Sequence, residues 1–386
     1  MKILYHHRTR SKDGQCVHIE EMIAALRDLG HEVIVVAPPS STGKAFGSDA
    51  GWVAWMKRHI PKSIYEIMEL GYALMAYRRL SRAVRLHHPD CLYERYNLFL
   101  PAGVWLKERY KLPMLLEVNS PVFEERLRFD GIALKGLAHW SQLYAWRGAD
   151  YVLPVTQALG ALLAEAGIPQ QRIVNIPNAI NPKSFAEVPA TDSAKQYLKL
   201  QGRLILGFTG FLRDWHGLDK VIELISHDPA SSLRHLLIVG DGPARPALEQ
   251  QAKLLGISER VTFTGIVPRK QIAQYVAAFD IALQPAVVAY ASPLKLFEYL
   301  ALGKAIVAPA QPNMLEILAD GVNAVLFDPQ NPDALAGAID RLCKNPALRF
   351  RIGKGARSTI AEKQLTWHEN ARQVCRLFDK LAAGHA

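Results

Sequence analysis

Ser292, Pro293, Leu294, Lys295 and Glu298 lie close together in the stretch SPLKLFEYLAL, which runs through Gly303 into AIVAP. Serine suits an N-cap and proline the first helical position, so the pattern predicts a helix over 293–302 whose free amides and positive dipole end can hold an anion. Lys295 adds a cation in the first turn. Glu298, one turn further along the same face, can accept hydrogen bonds from vicinal hydroxyls. The same spacing also fits a capped helix carrying a surface Lys–Glu pair. Three more segments have the look of ligand-binding turns. GFTGFLRDWHG places Gly210 just past a strand and Arg213 and His216 before Gly217, the layout of an anion loop with a bidentate donor. VGDGP supplies Gly240 and Gly242 for tight backbone, but Pro243 and Ala244 break the dinucleotide fingerprint, so a nicotinamide cofactor is poorly supported. FTG at 263–265 is the fourth. Singly each is an ordinary βα turn; together, at strand carboxyl ends, they point to a phosphate-bearing ligand.

These turns need strands and helices to position them. In the first half, apolar runs at 3–5, 32–37, 91–94, 114–118, 151–155 and 172–176 read as strands, with a helix over 17–29 and helical patterns between the later runs. After 181–201, polar and proline-containing, the alternation restarts. Strands are expected at 204–208, 235–239, 261–264, 281–284 and 305–308, helices at 218–225, 244–255, 270–278 and 293–302, and two or three closing helices from 346. Such alternation predicts an α/β protein of two Rossmann-like, doubly wound parallel-sheet domains facing across a cleft. The expected division is 1–180 for an acceptor-side domain, 181–202 for a linker, 203–365 for a nucleotide-binding domain, and 366–386 for a C-terminal helix returning to the first domain.

Length and composition agree with two domains: 386 residues, 49% apolar and 21% charged, exclude a disordered or collagen-like chain. The longest uncharged stretches, 151–164 and 281–294, contain proline and fall short of the roughly 20 apolar residues of a spanning helix. After Met1-Lys2 only a short apolar run precedes His6, His7 and Arg8, too little for a signal-peptide core, so a cytoplasmic location is expected. Cys16, Cys91, Cys343 and Cys375 lack Cys-x-x-Cys spacing and read as free thiols, with neither a metal site nor a disulfide framework.

The net charge of +10 is unevenly placed. Residues 52–88 hold Lys57, Arg58, Lys62, Arg78, Arg79, Arg82 and Arg85 against Glu66 and Glu69, interleaved with Trp52, Trp55, Ile64, Ile67, Met68, Leu74 and Met75. That mixture suits the headgroup region of an anionic membrane and equally a basic helix packed on its own domain. No nucleic-acid motif accompanies the charge, so nucleic acid is not an expected partner.

In order, FTGF…HG, VGDGP, FTGIVP, FDIALQP and SPLKLFEYLALGKAIVAP resemble the donor-binding half of the retaining group 1 glycosyltransferases with the GT-B fold, and GHEVIVVAP, VLPVTQAL and VNIPNAI resemble landmarks of their other half. The resemblance covers about residues 1–340. It implies transfer of a sugar from a nucleoside diphosphate, UDP or GDP being the usual carriers, to a hydroxyl of a glycan or lipid-linked acceptor in envelope or exported-polysaccharide synthesis. It implies no metal and no separate cofactor.

Carried onto matching positions, the resemblance gives Glu298 the ribose, and Lys295, Arg213 and the amides of Ser292, Pro293 and Leu294 the diphosphate. Gly265, Ile266 and Val267 would meet the base with their backbone. Gly14 would approach the phosphates without a side chain, with Gly210 and Gly240 in similar roles. His216 stands where relatives carry lysine, and Tyr290 where they carry the first of two spaced glutamates. Asn119 replaces a histidine of many relatives; it could hydrogen-bond the donor sugar or acceptor but not act as a base, so Arg213, Lys295 and Asn119 are the catalytic candidates. His18, Glu94, Arg95 and Glu117 are candidates for the acceptor side. Two other readings fit the same residues: a nucleotide-sugar hydrolase or epimerase, and a non-catalytic sugar-nucleotide sensor or membrane-docked assembly partner.

Overall fold

Two all-parallel sheets organise the chain. The computed structural model describes residues 1–9, 14–38, 59–229 and 232–384. Two compact units result, Met1–Pro177 with Trp367–Ala386, and Asn178–Thr366.

In the first unit, β1 (Lys2–His6), β2 (Glu32–Val36), β3 (Cys91–Arg95), β4 (Met114–Val118) and β5 (Tyr151–Pro154) form a sheet in the order β2-β1-β3-β4-β5. Parallel neighbours need crossovers, supplied among the described residues by helices Gly14–Asp28, Lys62–His87, Ala102–Tyr110 and Lys135–Gly148. β3, β4 and β5 are buried along their whole length, as strands covered on both faces must be. Helix Trp367–Gly384 belongs to this unit and packs along Gly14–Asp28.

The second unit contains β6 (Leu204–Thr209), β7 (Arg234–Val239), β8 (Val261–Phe263), β9 (Ile281–Leu283), β10 (Ala305–Pro309) and β11 (Val325–Phe327), ordered β11-β10-β9-β6-β7-β8. Alternation of side chains sends Leu206, Phe208, Leu236, Ile238, Ala305 and Val307 into one apolar cluster. Ile205, Leu237, Val239, Ile306 and Ala308 enter another. Helices Leu218–Ser226, Arg245–Leu254 and Ala334–Lys344 close the first cluster, and Arg269–Ala277 and Leu294–Ala301 the second. Both faces of the sheet are thereby covered. The chain winds outward from β6 to β8 and then returns to β9 on the other side of β6, so the crevice between β6 and β9 is the switch point at which such sheets bind ligands.

Three expectations about elements need correction. Residues 181–202 are no free linker: they contain the 3₁₀ turn Pro182–Phe185 and helix Thr191–Tyr197, and belong to the second unit. Lys195 fastens them there through Asp280 at 2.7 Å and the Arg203 carbonyl at 3.0 Å. The run 172–176 lies beside β5 but forms only a partial ladder, Val174 N–H to the Val152 carbonyl and Ile176 N–H to the Pro154 carbonyl, each 3.0 Å. The return bond between them would have to come from the nitrogen of Pro154, which has no hydrogen. The remaining correction is β11, a short edge strand absent from the sequence reading.

Candidate functional site

Three strand ends and one helix start lie on the carboxyl side of this sheet, running from the switch point to the β8 edge. After β6 comes Gly210 at φ +134°, after β7 Gly240 at φ +139°, and after β8 Gly265 at φ +69°. The Gly210 N–H reaches the Val239 carbonyl at 2.9 Å, Leu212 N–H the Asp241 carbonyl at 2.9 Å, and Gly240 and Gly265 form a β-bridge. A Cβ on Gly240 would fall onto the Gly210 carbonyl oxygen, and one on Gly242 onto the backbone of Leu212. Glycine is therefore required at two positions of the turn after β7, where it closes on the backbone that follows β6.

Room at Gly210 admits Lys295. A Cβ there would lie 3.2 Å from the Lys295 Cε and Nζ atoms, and the ammonium sits 3.7 Å from the centre of the Phe208 ring. Lys295 stands in the first turn of helix Leu294–Ala301. That helix is tied to the sheet by Thr209 N–H, which donates to the Tyr299 hydroxyl at 2.9 Å. Phe297, Tyr299 and Leu300 are buried against the second cluster, leaving Lys295 and Glu298 on the less buried face.

Lys295 and Glu298 keep only a little accessible surface, and the protein around them shifts both. Burial lowers Lys295 to about 7, and the charge of Glu298 offsets part of that. Burial raises Glu298 to about 7 against the pull of Arg269 and Lys295. Neither is an ordinary surface ion-pair member.

His216 packs against the same aromatic, its ring 5.2 Å from that of Phe208. Burial first, then the charges of Lys295 and Arg213, push His216 down to about 2. It is a neutral imidazole at working pH, and its Nδ1 accepts from the Arg213 N–H at 3.3 Å. The exposed Arg213 guanidinium packs over Phe211 and Trp215, 4.7 and 5.3 Å from their ring centres. Gly217 follows at φ +70°, in the left-handed region.

Ser292 departs from expectation. Pro293 is the N-cap, and Ser292 is held outside the helix by Asn178, whose N–H donates to the serine hydroxyl at 3.3 Å and whose Nδ2 donates to its carbonyl at 2.5 Å. Tyr290 occupies a turn between β9 and the helix, half-buried. Asn313 pins the same loop through the carbonyls of Val288 and Ala291, at 3.1 and 2.7 Å. Ile266 is 56% exposed just beyond β8.

Sequence reasoning missed Thr209 and Gln284. Both end strands flanking the switch point, and Thr209 Oγ1 and Gln284 Oε1 are buried with no hydrogen-bond partner among the described residues. Alternation marks both positions only once the sheet order is known.

In the first unit, the acceptor-side candidates form two separate groups. Glu94 and Arg95 point to opposite faces of β3 and do not pair with each other. Glu94 meets His6 Nδ1 at 2.6 Å, both fully buried. Arg95 pairs with Glu117, which also contacts His18 Nε2 at 2.9 Å, the Tyr93 hydroxyl at 2.8 Å and the Asn119 side-chain amide. Burial alone would raise Glu117, but His18, Arg95 and these hydrogen bonds hold it well below the usual carboxylate range. Glu117 is thus a saturated hub, and Asn119 spends a donor on it. Gly14 is the first residue of helix Gly14–Asp28; residues 10–13 of its expected loop lie outside the described residues. His7, which the sequence reading did not single out, follows β1 with Nδ1 buried and unpartnered among the described residues, and burial lowers it to about 4.

Comparison with known proteins places these features in a family. The family model for glycosyl transferases group 1 matches residues 190–359, and that for a glycosyl transferase 4-like domain matches residues 13–179. A D-inositol 3-phosphate glycosyltransferase of Xylanimonas cellulosilytica is 27% identical over 396 residues, 96% of this chain and 92% of that protein. An uncharacterized glycosyltransferase of Methanocaldococcus jannaschii is 24% identical over 238 residues, 61% of this chain and 60% of that one. For several such relatives the match spans only about half to three fifths of their length. Among solved structures, Anabaena HepE in complex with UDP aligns over 98% of this chain and all of that one, with a TM-score of 0.77 and 19% identity. Sucrose-phosphate synthase from Thermosynechococcus elongatus aligns over the whole of both chains, with a TM-score of 0.78 and 18% identity.

Proposed function

Because this chain belongs to the group 1 glycosyltransferases and has their two-domain GT-B fold, we propose that its second unit binds a nucleoside diphosphate sugar and that the enzyme transfers the sugar with retention of configuration. The observation that carries this reading is the cluster of Lys295, Phe208 and neutral His216 at the switch point, in line with the glycine turns after β6, β7 and β8. The diphosphate lies across the start of helix Leu294–Ala301, where Lys295, the first amides and Arg213 supply positive charge. Glu298 takes the ribose hydroxyls, and the turn at Gly265 and Ile266 takes the base, uridine in the reading we favour.

The chemistry that follows is charge stabilisation and positioning. As the glycosidic bond breaks, negative charge develops on the leaving diphosphate, and Lys295 and Arg213 stabilise it. The leaving phosphate then accepts the acceptor proton on the face from which the sugar departs. His216, being neutral, contributes a hydrogen bond rather than a charge. The nucleotide sugar is the substrate, and no separate cofactor enters this reading. The acceptor is a glycan or lipid-linked hydroxyl of envelope polysaccharide synthesis at the cytoplasmic side of a membrane.

The test is thermal stabilisation by UDP, GDP, ADP, CDP and TDP and their sugar conjugates. A ligand at 100 times its Kd adds about 2.7 kcal/mol, a readable shift. One carrier should stand out, its shift lost in Glu298→Ala, and the anomer of the transferred product read by NMR then decides retention. No shift with any nucleotide would sink the donor assignment.

A further inference from the structure

Helix Lys62–His87 is built inside out. Its outward residues Ile64, Ile67, Met68, Leu74, Met75, Arg78, Arg82, Arg85 and Leu86 are exposed, and at 3.6 residues per turn they fall within an arc of about 120°. Ile67 is 55% exposed, Leu74 57% and Leu86 67%. The inward face carries Ala73, Ala76, Leu80 and Val84, and also the only two acidic residues of the helix. Glu66 accepts from the N–H groups of Ala133 and Leu134, at 2.9 and 2.7 Å. Glu69 pairs with Arg126 at 2.8 Å and Arg8 at 3.4 Å. A surface helix of a globular domain normally turns its carboxylates to water and its isoleucines to the core. Here the order is reversed, and inward anchoring of both carboxylates leaves the outer arc without a negative charge.

The outer arc is also sorted along its length. Apolar residues occupy the amino-terminal half and arginines, with Leu86 among them, the carboxyl-terminal half, with Arg79 at the flank. Near the apolar end, the turn Arg126–Asp130 is tied to the helix by Lys62 Nζ on the Asp130 carbonyl and by the Arg126–Glu69 pair. Leu127 and Phe129 of that turn are themselves 43% and 51% exposed. Among the described residues no helix is long and apolar enough to cross a membrane, so this surface lies on a bilayer if it meets one.

We infer that the outer face of helix Lys62–His87, with Leu127 and Phe129, docks on an anionic lipid bilayer. Ile64, Ile67, Met68, Leu74 and Met75 enter the headgroup boundary while Arg78, Arg82 and Arg85 meet lipid phosphates. Charge complementarity selects this occupant: a second copy of the chain would set arginines against arginines or bury them against isoleucine and methionine. The inference concerns a surface of the first unit and stands independently of the donor proposed for the second.

The experiment is flotation of the full chain with phosphatidylcholine vesicles and with mixed phosphatidylcholine and phosphatidylglycerol vesicles, at low and high salt. Binding should require phosphatidylglycerol. It should fall at least about tenfold when Arg78, Arg79, Arg82 and Arg85 are changed to Gln, and again in a Leu74→Ser/Met75→Ser variant. These positions are at the surface, so melting temperature and the nucleotide-induced shift should be unchanged, which separates loss of docking from loss of folding or of donor binding. Equal binding to neutral vesicles, no binding to either, or undiminished binding by both variants overturns the inference. So does sedimentation showing a dimer that Leu74→Ser/Met75→Ser dissociates.

Discussion

The Lys295 ammonium stands 3.7 Å above the centre of the Phe208 ring, in space that exists because residue 210 is glycine. A strand end, a helix start and a left-out side chain thus combine to hold one part-buried lysine where a helix dipole already favours an anion. This cation has lost part of its hydration, and burial has brought it to about 7. In the proposed function a diphosphate restores its charge.

The first prediction concerns pH. Binding of a diphosphate favours protonated Lys295, so nucleotide affinity should weaken as pH rises above about 7, by up to roughly tenfold per unit. Calorimetry in buffers of different ionisation heat should register proton uptake near pH 8. An affinity flat from pH 6.5 to 8.5, an interval chosen to straddle the lysine value, would remove Lys295 from the phosphate site.

Glu298 should reveal itself in stability. Its folded pKa lies above its ordinary value of 4.5, so its favourable contribution is fully present below about pH 4.5 and disappears as pH rises through about 7. Glu298→Gln should melt like wild type near pH 5 and be more stable near pH 8, by up to roughly 3 kcal/mol, while losing its response to nucleotide. Equal melting at both pH values would contradict the burial argument.

Lys295→Ala should lower kcat/KM for transfer by about 10²–10³ while leaving the far-ultraviolet dichroism unchanged. His216→Lys, which places a second cation beside Lys295, tests the neutral role of His216: charge repulsion in that pocket should lower the melting temperature of the free protein and relieve itself when nucleotide binds. A variant that is as stable as wild type without ligand would show that the two groups do not share one low-dielectric site.

Glycine substitutions should divide by their surroundings. Gly240→Ala puts a methyl onto a backbone oxygen at φ +139°, and should cost about 2 kcal/mol or more and abolish nucleotide binding. Gly71→Ala, on the exposed side of helix Lys62–His87 with nothing within 4 Å, should add about 0.5–1 kcal/mol of stability. Urea melts of the two variants would settle the contrast.

Arg95→Ala should be among the most damaging changes in the first unit. It strips a buried carboxylate of its guanidinium and should cost about 3 kcal/mol, whereas Arg95→Ala combined with Glu117→Gln should recover part of the loss. Purely additive losses in the double variant would show that the two side chains are not coupled.

The sequence by itself determined the alternation of strands and helices, the glycine turns at strand ends, and the pairing of Lys295 with Glu298 on one helix face. Those are local properties: hydrophobic period, turn chemistry and one-turn spacing are all written within a few residues. It could not determine which strands are neighbours, and so it missed Thr209 and Gln284, whose common place at the switch point follows only from the adjacency of β6 and β9. It grouped Glu94 and Arg95 together as acceptor-side candidates, whereas alternation across β3 and the contacts of β1 and β4 gave each residue a different partner. It placed Ser292 on the helix cap, unaware that Asn178, more than a hundred residues away in the chain, holds it outside. The direction of helix Lys62–His87 was equally beyond it, because both faces of that helix are apolar in part. Only tertiary structure decided which face to bury, through the backbone amides of Ala133 and Leu134 and the guanidinium of Arg126 that draw Glu66 and Glu69 inward and leave isoleucine and methionine outside.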